Sequence, residues 1–447
     1  MGFVNGKWRQ DLHLEPPQGW LNDPNGLSFF DGYYHVYFQY APDSASGNSD
    51  KYWGHYRSTN LTDWEFTGIV LKTDTPEDRD GVYSGCAVVA DDLLHIFYTG
   101  NVKEKGDFDY ITAGRGANVI HVTTKDSVNM SKKEVLLRNS DYPSFCSCHV
   151  RDPKVWREND KWHMVLGVRT LDDEGCVLFY NSDDLVKWDY SHCDKIPDFG
   201  YMWECPDVFR INGKRYLSVS PQGLEHQDTK NQNVYQSGYF SYDEKLEGFT
   251  EWDMGFDFYA PQTFEAPDGR RILIGWMGIG DIPYTNPTTE LGYQHCLTIP
   301  REITADENGA LLQNPIKELE SLRKNQRSIS DGENIQIDYP FEIIADVKNP
   351  FSISLDDSVK ISWDGKLAVL SFTDDNVGCG RDVRKADLNK CENLRIIADK
   401  SSLEIYFDGG KTVMSTRMYP NEEQTKLSVN GFDGTVYSLD KMKIKYN

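Results

Sequence analysis

The chain has 447 residues, of which 39% are hydrophobic and 26% are charged, so it can bury a sizeable core and wholesale disorder is excluded. The formal net charge of -23 disfavours nucleic acid and anionic membranes as partners. Neither a signal peptide nor an apolar run long enough to span a membrane is evident. The nine cysteines form no CxxC pair, which favours free thiols and a cytoplasmic location.

Strand-like segments recur through the first two thirds of the chain. Each is apolar, rich in β-branched or aromatic residues, and preceded by turn residues such as Asp31-Gly32. They are YYHVYFQY from Tyr33, LLHIFYTG from Leu93, KWHMVLGV from Lys161, KRYLSVSP from Lys214 and RRILIGWM from Arg270. Their starts are 60, 68, 53 and 56 residues apart. Five such units predict a five-bladed β-propeller over residues 1–312, with an irregular β-sandwich as the alternative.

The pattern changes after Pro300. Apolar residues then follow at helical spacing, namely Ile316, Leu319 and Leu322. They predict a linker helix over residues 313–329. Short alternating segments with glycine-bearing turns return over 330–447 and predict a C-terminal β-sandwich. The predicted fold class is therefore all-β.

Three acids precede the repeated strands in matched register. Asp23 lies 12 residues before His35, Asp152 lies 11 before His163, and Glu204 lies 12 before Tyr216. Because the innermost strands of a propeller surround one axis, equivalent positions on them converge at one end of the channel. We therefore expect these three carboxylates to meet although they are far apart in sequence.

Clustered carboxylates raise one another's pKa, which lets one act as a proton donor while another stays ionised. Glycoside hydrolysis needs this division of roles. Each motif alone has a simpler interpretation: Asn22-Asp23-Pro24 as a turn, Arg151-Asp152 as a salt bridge, and Glu204 as a solvated side chain. Three acids in matched register, each followed by proline one or two residues later, favour the catalytic interpretation.

The segments WLNDPNG from Trp20, RDP from Arg151 and WECPD from Trp203 resemble the signature motifs of glycoside hydrolase family 32, which contains invertases and fructanases. The resemblance extends over nearly the whole chain, propeller and sandwich included. It implies that Asp23 is the nucleophile, Glu204 the acid/base and Asp152 the transition-state stabiliser. The implied activity is retaining hydrolysis of terminal β-D-fructofuranosyl residues from sucrose, fructo-oligosaccharides or related β-fructosides.

The resemblance also implies a set of sugar contacts. They are Asn22, Gln39, Trp53, Ser84, Arg151, Asp257 and Trp276. No metal or organic cofactor is expected, and the expected partner is a small carbohydrate rather than nucleic acid or a membrane. Several relatives carry tryptophan near the leaving-group site, where this chain has Ser46-Gly47-Asn48.

Some alternatives stay open on sequence alone. A fructosyltransferase would use the same three acids, and a lectin-like binding module would use the same fold. Sucrose, sucrose 6-phosphate, short fructo-oligosaccharides and longer fructans all fit the motifs. A phosphate would need an Arg or Lys cluster, and none is obvious in the sequence. The oligomeric state is also left open.

Overall fold

The computed structural model describes residues 3–446, and strands make up most of them. The only α-helix in that range is the single turn α1 (Asp375–Gly378). Four short 3-10 segments complete the helical content, namely Asn139–Asp141, Pro287–Thr289, Lys317–Leu322 and Asp408–Gly410. The predicted all-β class is thus confirmed. No helix within residues 3–446 has the length and apolar character needed to cross a bilayer.

Four sheets, I to IV, each contain four consecutive antiparallel strands. Sheet I contains β1 (Gly19–Phe30), β2 (Tyr33–Ala41), β3 (Tyr52–Ser58) and β4 (Asp63–Leu71). Sheet II contains β5 (Val82–Ala90), β6 (Leu93–Lys103), β7 (Arg115–Thr124) and β8 (Glu134–Leu137). Sheet III contains β9 (Cys146–Glu158), β10 (Lys161–Thr170), β11 (Gly175–Ser182) and β12 (Asp189–Asp194). Sheet IV contains β13 (Met202–Ile211), β14 (Lys214–Gln222), β15 (Gly238–Tyr242) and β16 (Leu246–Glu251).

The next six strands complete sheet V and return to sheet I. They are β17 (Tyr259–Glu265), β18 (Arg271–Met277), β19 (Tyr293–Gln294), β20 (Cys296–Leu297), β21 (Arg301–Ala305) and β22 (Leu311–Pro315). All of them except β19 belong to sheet V. The short strand β19 pairs in parallel with β1, so the chain that leaves sheet V is hydrogen-bonded to sheet I.

The first strands of the five sheets form a closed ring. β1 contacts β5, β5 contacts β9, β9 contacts β13, β13 contacts β17, and β17 contacts β1. Apolar clusters fill the space between neighbouring sheets, with Trp53 and Tyr98 between sheets I and II, and Val165 and Trp203 between sheets III and IV. Because each interface has its own core, the five first strands are held around one centre.

Two six-stranded antiparallel sheets follow, VI and VII. Sheet VI contains β23 (Arg323–Ile329), β25 (Phe341–Asp346), β30 (Asn393–Asp399), β31 (Ser402–Phe407), β32 (Thr412–Arg417) and β34 (Gly434–Leu439). Sheet VII contains β24 (Asn334–Asp338), β26 (Phe351–Leu355), β27 (Val359–Trp363), β28 (Leu367–Phe372), β29 (Val383–Asp387) and β33 (Gln424–Asn430). One apolar cluster contains residues of both sheets, such as Ile343 and Ile361. The last strand, β35 (Lys443–Tyr446), pairs in parallel with β4.

The linker helix predicted over residues 313–329 is mostly strand. Only Lys317–Leu322 is helical, as a 3-10 segment between β22 and β23. The helical spacing did identify buried positions, since Ile316 and Leu319 are fully buried. The residues after them pair with β34 instead, because backbone pairing with an existing sheet outweighs a weak helical preference.

Buried charges join the ring to sheet VI. Arg301 of β21 pairs with Asp253 at 3.1 Å and with Glu404 of β31 at 2.7 Å, and none of these side chains is exposed. His13 lies between Asp399 at 2.8 Å and Glu404 at 3.1 Å. Burial alone would lower the pKa of His13, but hydrogen bonds to the two carboxylates raise it to about 9. The imidazole is therefore charged near neutral pH, which balances the buried acids.

Candidate active site

Each first strand of the ring contains a β-bulge. The pairing register shifts by one residue in β1, β5, β9, β13 and β17. Within these bulges Asp152, Cys205 and Ala260 have left-handed backbone, with φ of 60°, 47° and 48°. Non-glycine residues seldom adopt this conformation, and a bulge re-aims the side chains beside it. The bulges therefore determine which side chains point into the centre of the ring.

A three-residue pattern ending in proline marks four of the bulges. The triplets are Asn22-Asp23-Pro24, Arg151-Asp152-Pro153, Glu204-Cys205-Pro206 and Tyr259-Ala260-Pro261. Proline has no N–H, so it is tolerated where the ladder is interrupted. The fifth triplet is Tyr83-Ser84-Gly85, and a Cβ on Gly85 would lie 1.9 Å from the Phe97 carbonyl oxygen. The first residue of every triplet lines one cavity.

This cavity, of about 340 Å³, contains all three predicted acids. Its lining is Asn22, Asp23, Gln39, Lys51, Tyr83, Ser84, Arg115, His149, Arg151, Asp152, Glu204, Cys205, Gln222, Tyr235, Tyr259, Trp276, Gly280 and Asp281. A larger cavity, of about 870 Å³, lies at the opposite ends of the same first strands and contains none of the predicted site residues. We therefore take the smaller cavity as the candidate active site, because the convergent acids lie there.

Asp23 is held by two side-chain donors. The Ser84 hydroxyl donates to its Oδ2 at 2.5 Å, and the Asn22 amide donates to its Oδ1 at 3.0 Å. Trp20 in turn fixes Asn22, since its indole N–H donates to the Asn22 oxygen at 2.8 Å. Burial raises the pKa of Asp23 above its ordinary value. The two hydrogen bonds lower this pKa, and the nearby charge of Glu204 raises it further.

Asp152 lies beside Asp23 at the bottom of the cavity. Its Oδ2 accepts the backbone N–H of Cys205 at 3.0 Å. The Cys205 thiol is 3.7 Å from Asp152 Oδ2 and 3.9 Å from Asp23 Oδ2, so one sulfur contacts both acids. Burial raises the pKa of Asp152 to about 7, against the attraction of Arg151 and with added repulsion from Glu204. Removing this carboxyl from water disfavours its charged form.

Glu204 is oriented by three groups. Arg151 Nη2 lies 2.9 Å from its Oε1. Its Oε2 accepts from the Tyr259 hydroxyl and from the Gln222 amide, each at 2.7 Å. Both carboxylate oxygens are thus fixed, which is what a positioned proton-transfer group requires.

Profiles of two protein domains match nearly the whole chain. The glycosyl hydrolases family 32 N-terminal domain matches residues 13–315, and the family 32 C-terminal domain matches residues 312–446. The chain belongs to glycosyl hydrolase family 32. It is accordingly a glycoside hydrolase, as the motifs around Asp23, Asp152 and Glu204 predicted.

Relatives of this family 32 enzyme extend over most of its length. The sucrose-6-phosphate hydrolase of Bacillus subtilis is 36% identical over 92% of the chain and 89% of the relative. The solved sucrose-6-phosphate hydrolase of Lactobacillus gasseri has a TM-score of 0.88 at 26% identity, over 98% of the chain and 95% of that structure. The β-fructofuranosidase of Bombyx mori has a TM-score of 0.85 at 29% identity, over 99% of the chain and 96% of that structure. A variant of it is solved in complex with sucrose.

Most of the sugar contacts predicted for the family 32 enzyme line the cavity. They are Asn22, Gln39, Ser84, Arg151 and Trp276. Among residues 3–446, the Trp276 indole N–H and Arg151 Nε are buried without a hydrogen-bond partner. Buried donors are normally satisfied, so these two are available to sugar hydroxyls.

Two predicted sugar contacts lie outside the cavity lining. Trp53 is fully buried and packs beside Tyr37 and Tyr98, while its indole N–H donates to the Tyr83 carbonyl at 3.1 Å. Trp53 therefore stabilises the bulge of β5 without lining the cavity.

Asp257 is likewise buried, in a bidentate ion pair with Arg381 at 2.8 Å. It also accepts the backbone N–H of Arg417 at 2.7 Å. Its carboxylate is fully engaged in joining the ring to the C-terminal part, so the structure corrects its assignment as a sugar contact.

Several lining residues were not among the predicted sugar contacts. Tyr259 had a usable signal, because Tyr259-Ala260-Pro261 repeats the pattern of Glu204-Cys205-Pro206. No sequence pattern pointed to Lys51 and Arg115. They lie just before β3 and at the start of β7, outside the first strands. Only the packing of sheets I and II brings these two cations to the cavity.

Proposed function

We propose that this family 32 enzyme is a retaining β-fructofuranosidase that hydrolyses terminal non-reducing β-D-fructofuranosyl residues of sucrose or related β-fructosides. The observation that carries the proposal is one cavity lined by Asp23, Asp152 and Glu204. The names of the relatives, which include a β-fructofuranosidase and sucrose-6-phosphate hydrolases, agree with it. The substrate is thus a small carbohydrate.

Asp23 is the proposed nucleophile. Its carboxylate attacks the anomeric carbon of fructose and forms a covalent ester as the glycosidic C–O bond breaks. Glu204 gives a proton to the departing oxygen, then takes one from the water that attacks the same carbon and releases Asp23. The hydrogen bonds from Ser84 and Asn22 hold the attacking carboxylate in one orientation.

Asp152 and Arg151 are the proposed stabilisers of the transition state. Asp152 is buried, with 5% of its surface exposed, beside the nucleophile. From there its carboxyl can hold fructosyl hydroxyls while positive charge develops on the ring. Such contacts accelerate the reaction only if they strengthen in the transition state.

Ser84→Ala is expected to move the acid limb of the kcat/KM profile to higher pH. The Ser84 hydroxyl donates to Asp23 and lowers the pKa of that carboxyl, so its loss lets burial raise the pKa further. The nucleophile works ionised, and activity is lost as the pH falls through its pKa. The profile of each protein on sucrose measures the shift. A limb that stays in place or moves to lower pH would contradict the role of Asp23.

The retaining mechanism has a direct test. In water–methanol mixtures, methanol should capture the covalent intermediate and give methyl β-D-fructofuranoside, which NMR identifies. Asp23→Ala protein, handled identically, should give none. Formation of the α anomer would rule out double displacement.

A fructosyltransferase is the nearest alternative, and the acceptor decides between the two. Release of glucose and fructose from sucrose in equal amounts supports hydrolysis, whereas a deficit of fructose supports transfer. A non-catalytic binding module is the other alternative, and it requires that the unmutated chain cleave no fructoside at all.

The scaffold is included in the proposal. The ring of sheets I to V, from β1 to β22, is a five-bladed β-propeller, and sheets VI and VII, from β23 to β34, are a β-sandwich. The closed ring of first strands and the core shared by the two six-stranded sheets support this description. A cytoplasmic location is proposed as well, because all nine cysteines are free thiols.

A further inference from the structure

One side of the cavity is positively charged, although the chain as a whole carries a net charge of -23. Arg115 at the start of β7 and Lys51 just before β3 line the cavity together with Asp23 and Glu204. Both cations are half-buried, whereas Asp152 is buried deep in the same cavity. They therefore lie nearer the mouth than the proposed fructosyl position.

Arg115 has no ion-pair partner within residues 3–446, and its Nε is buried there without a hydrogen bond. Burial lowers its pKa, and repulsion from Arg151 adds to this. Arg151 is itself engaged by Glu204 at 2.9 Å. A half-buried cation without an ion-pair partner is costly, so its presence in a ligand cavity indicates that the ligand supplies the anion.

Lys51 is in a similar position. Its ammonium donates to the Gly47 carbonyl, and burial lowers its pKa to about 8 against the attraction of Asp23. The lining also contains a negative charge, since Asp281, in the segment after β18 of sheet V, accepts the Tyr235 hydroxyl at 2.6 Å. An anionic group on the ligand is thus repelled from sheets IV and V and attracted to sheets I and II.

We propose that Arg115 and Lys51 bind a phosphate group on the leaving-group sugar and give the enzyme its preference for sucrose 6-phosphate over sucrose. The proposal rests on the proposed function, in which the fructosyl unit occupies the deep end and the leaving group faces the mouth. A phosphate monoester carries up to two charges near neutral pH, and a guanidinium binds it with two parallel hydrogen bonds. Within residues 3–446 neither cation forms an ion pair, so the two together match that charge.

His149 also lines the cavity but does not bind the phosphate. Its Nε2 lies 3.0 Å from the Tyr110 carbonyl, and burial with repulsion from Arg151 and Arg115 lowers its pKa to about 3. The neutral ring donates to that carbonyl and keeps Nδ1 as an acceptor. It is suited to a sugar hydroxyl and not to phosphate.

The test compares kcat/KM on sucrose 6-phosphate and on sucrose for wild type, Arg115→Gln, Lys51→Gln and Arg138→Gln. Wild type should prefer the phosphorylated substrate by at least about 10-fold, and Arg115→Gln should reduce that ratio by roughly 10- to 100-fold. Lys51→Gln should reduce it by a smaller factor. Arg138 directly follows β8 of sheet II but is half-exposed and pairs with Glu77, so its variant should keep the wild-type ratio.

Product inhibition gives a second measurement that needs no variant. Glucose 6-phosphate should inhibit sucrose hydrolysis by wild type at a concentration at least about 10-fold below that of glucose. Equal inhibition by the two sugars, or an unchanged substrate ratio in Arg115→Gln, would overturn the phosphate assignment. Wild type that cleaves sucrose with no preference would overturn it while leaving the proposed function intact. Wild type that cleaves neither substrate would remove both.

Discussion

Asp23→Ala is expected to lower kcat on sucrose by roughly 10,000-fold or more, because no covalent intermediate can form without the attacking carboxylate. The side chain is one of four acids that line the cavity, but it alone accepts from both Ser84 and Asn22. Steady-state release of glucose and fructose measures the loss. Binding of sucrose, followed by calorimetry, should persist, since Arg151, Asp152 and Trp276 still line the cavity.

The matched control is Asp43→Ala. Asp43 is an exposed carboxylate in the loop after β2 and does not line the cavity, so its variant should keep wild-type activity. A thermal melt of each protein separates loss of chemistry from loss of fold. Asp23→Ala protein that is folded yet retains activity within about 10-fold of wild type would exclude Asp23 as the nucleophile.

Arg301→Met is expected to reduce the free energy of unfolding by about 3–5 kcal/mol, because it leaves the buried carboxylate of Asp253 without its counter-charge and that of Glu404 with His13 alone. Arg301 also donates to the side chains of Gln313 and Ser415, at 3.0 and 2.7 Å. Denaturant titration with a fluorescence readout measures the change. Since Arg301 lies in β21 and Glu404 in β31, we expect the junction between the ring and sheet VI to loosen first.

Two further variants test the cause of that loss. Glu404→Gln added to Arg301→Met should recover part of the stability, because it removes one of the two carboxylates that lost Arg301 as a partner. Arg327→Met deletes an arginine whose partner, Glu333, is on the surface, and should change stability little. If Arg301→Met unfolds at the same denaturant concentration as wild type, the buried pair contributes nothing to the junction.

The strands and the three acids could be predicted from the sequence because their patterns are local. Turn residues followed by apolar segments mark each hairpin, and the register of Asp23, Asp152 and Glu204 relative to those hairpins was enough to predict one shared cavity. A local pattern also gave the wrong prediction of a helix over residues 313–329. There the apolar spacing correctly marks Ile316 and Leu319 as buried, but pairing with β34 determines the backbone conformation.

Individual sugar contacts were harder to predict, because the orientation of each side chain depends on the β-bulges. Asp257 and Tyr259 are two residues apart, yet Tyr259 donates to Glu204 while Asp257 pairs with Arg381 in the C-terminal part of the chain. Trp53 belongs to β3, the third strand of its sheet, and packs between sheets I and II. A sequence motif states which residues are near a site but not which way each side chain points.

The sequence by itself determined the all-β class, the family and the three acids, because turn chemistry, strand alternation and the proline triplets depend only on residues close in the chain. Only the tertiary structure decided that Lys51 and Arg115 share a cavity with those acids. They come from different sheets and follow no repeat. They share the cavity because sheet I packs against sheet II, and this packing depends on contacts between residues far apart in sequence.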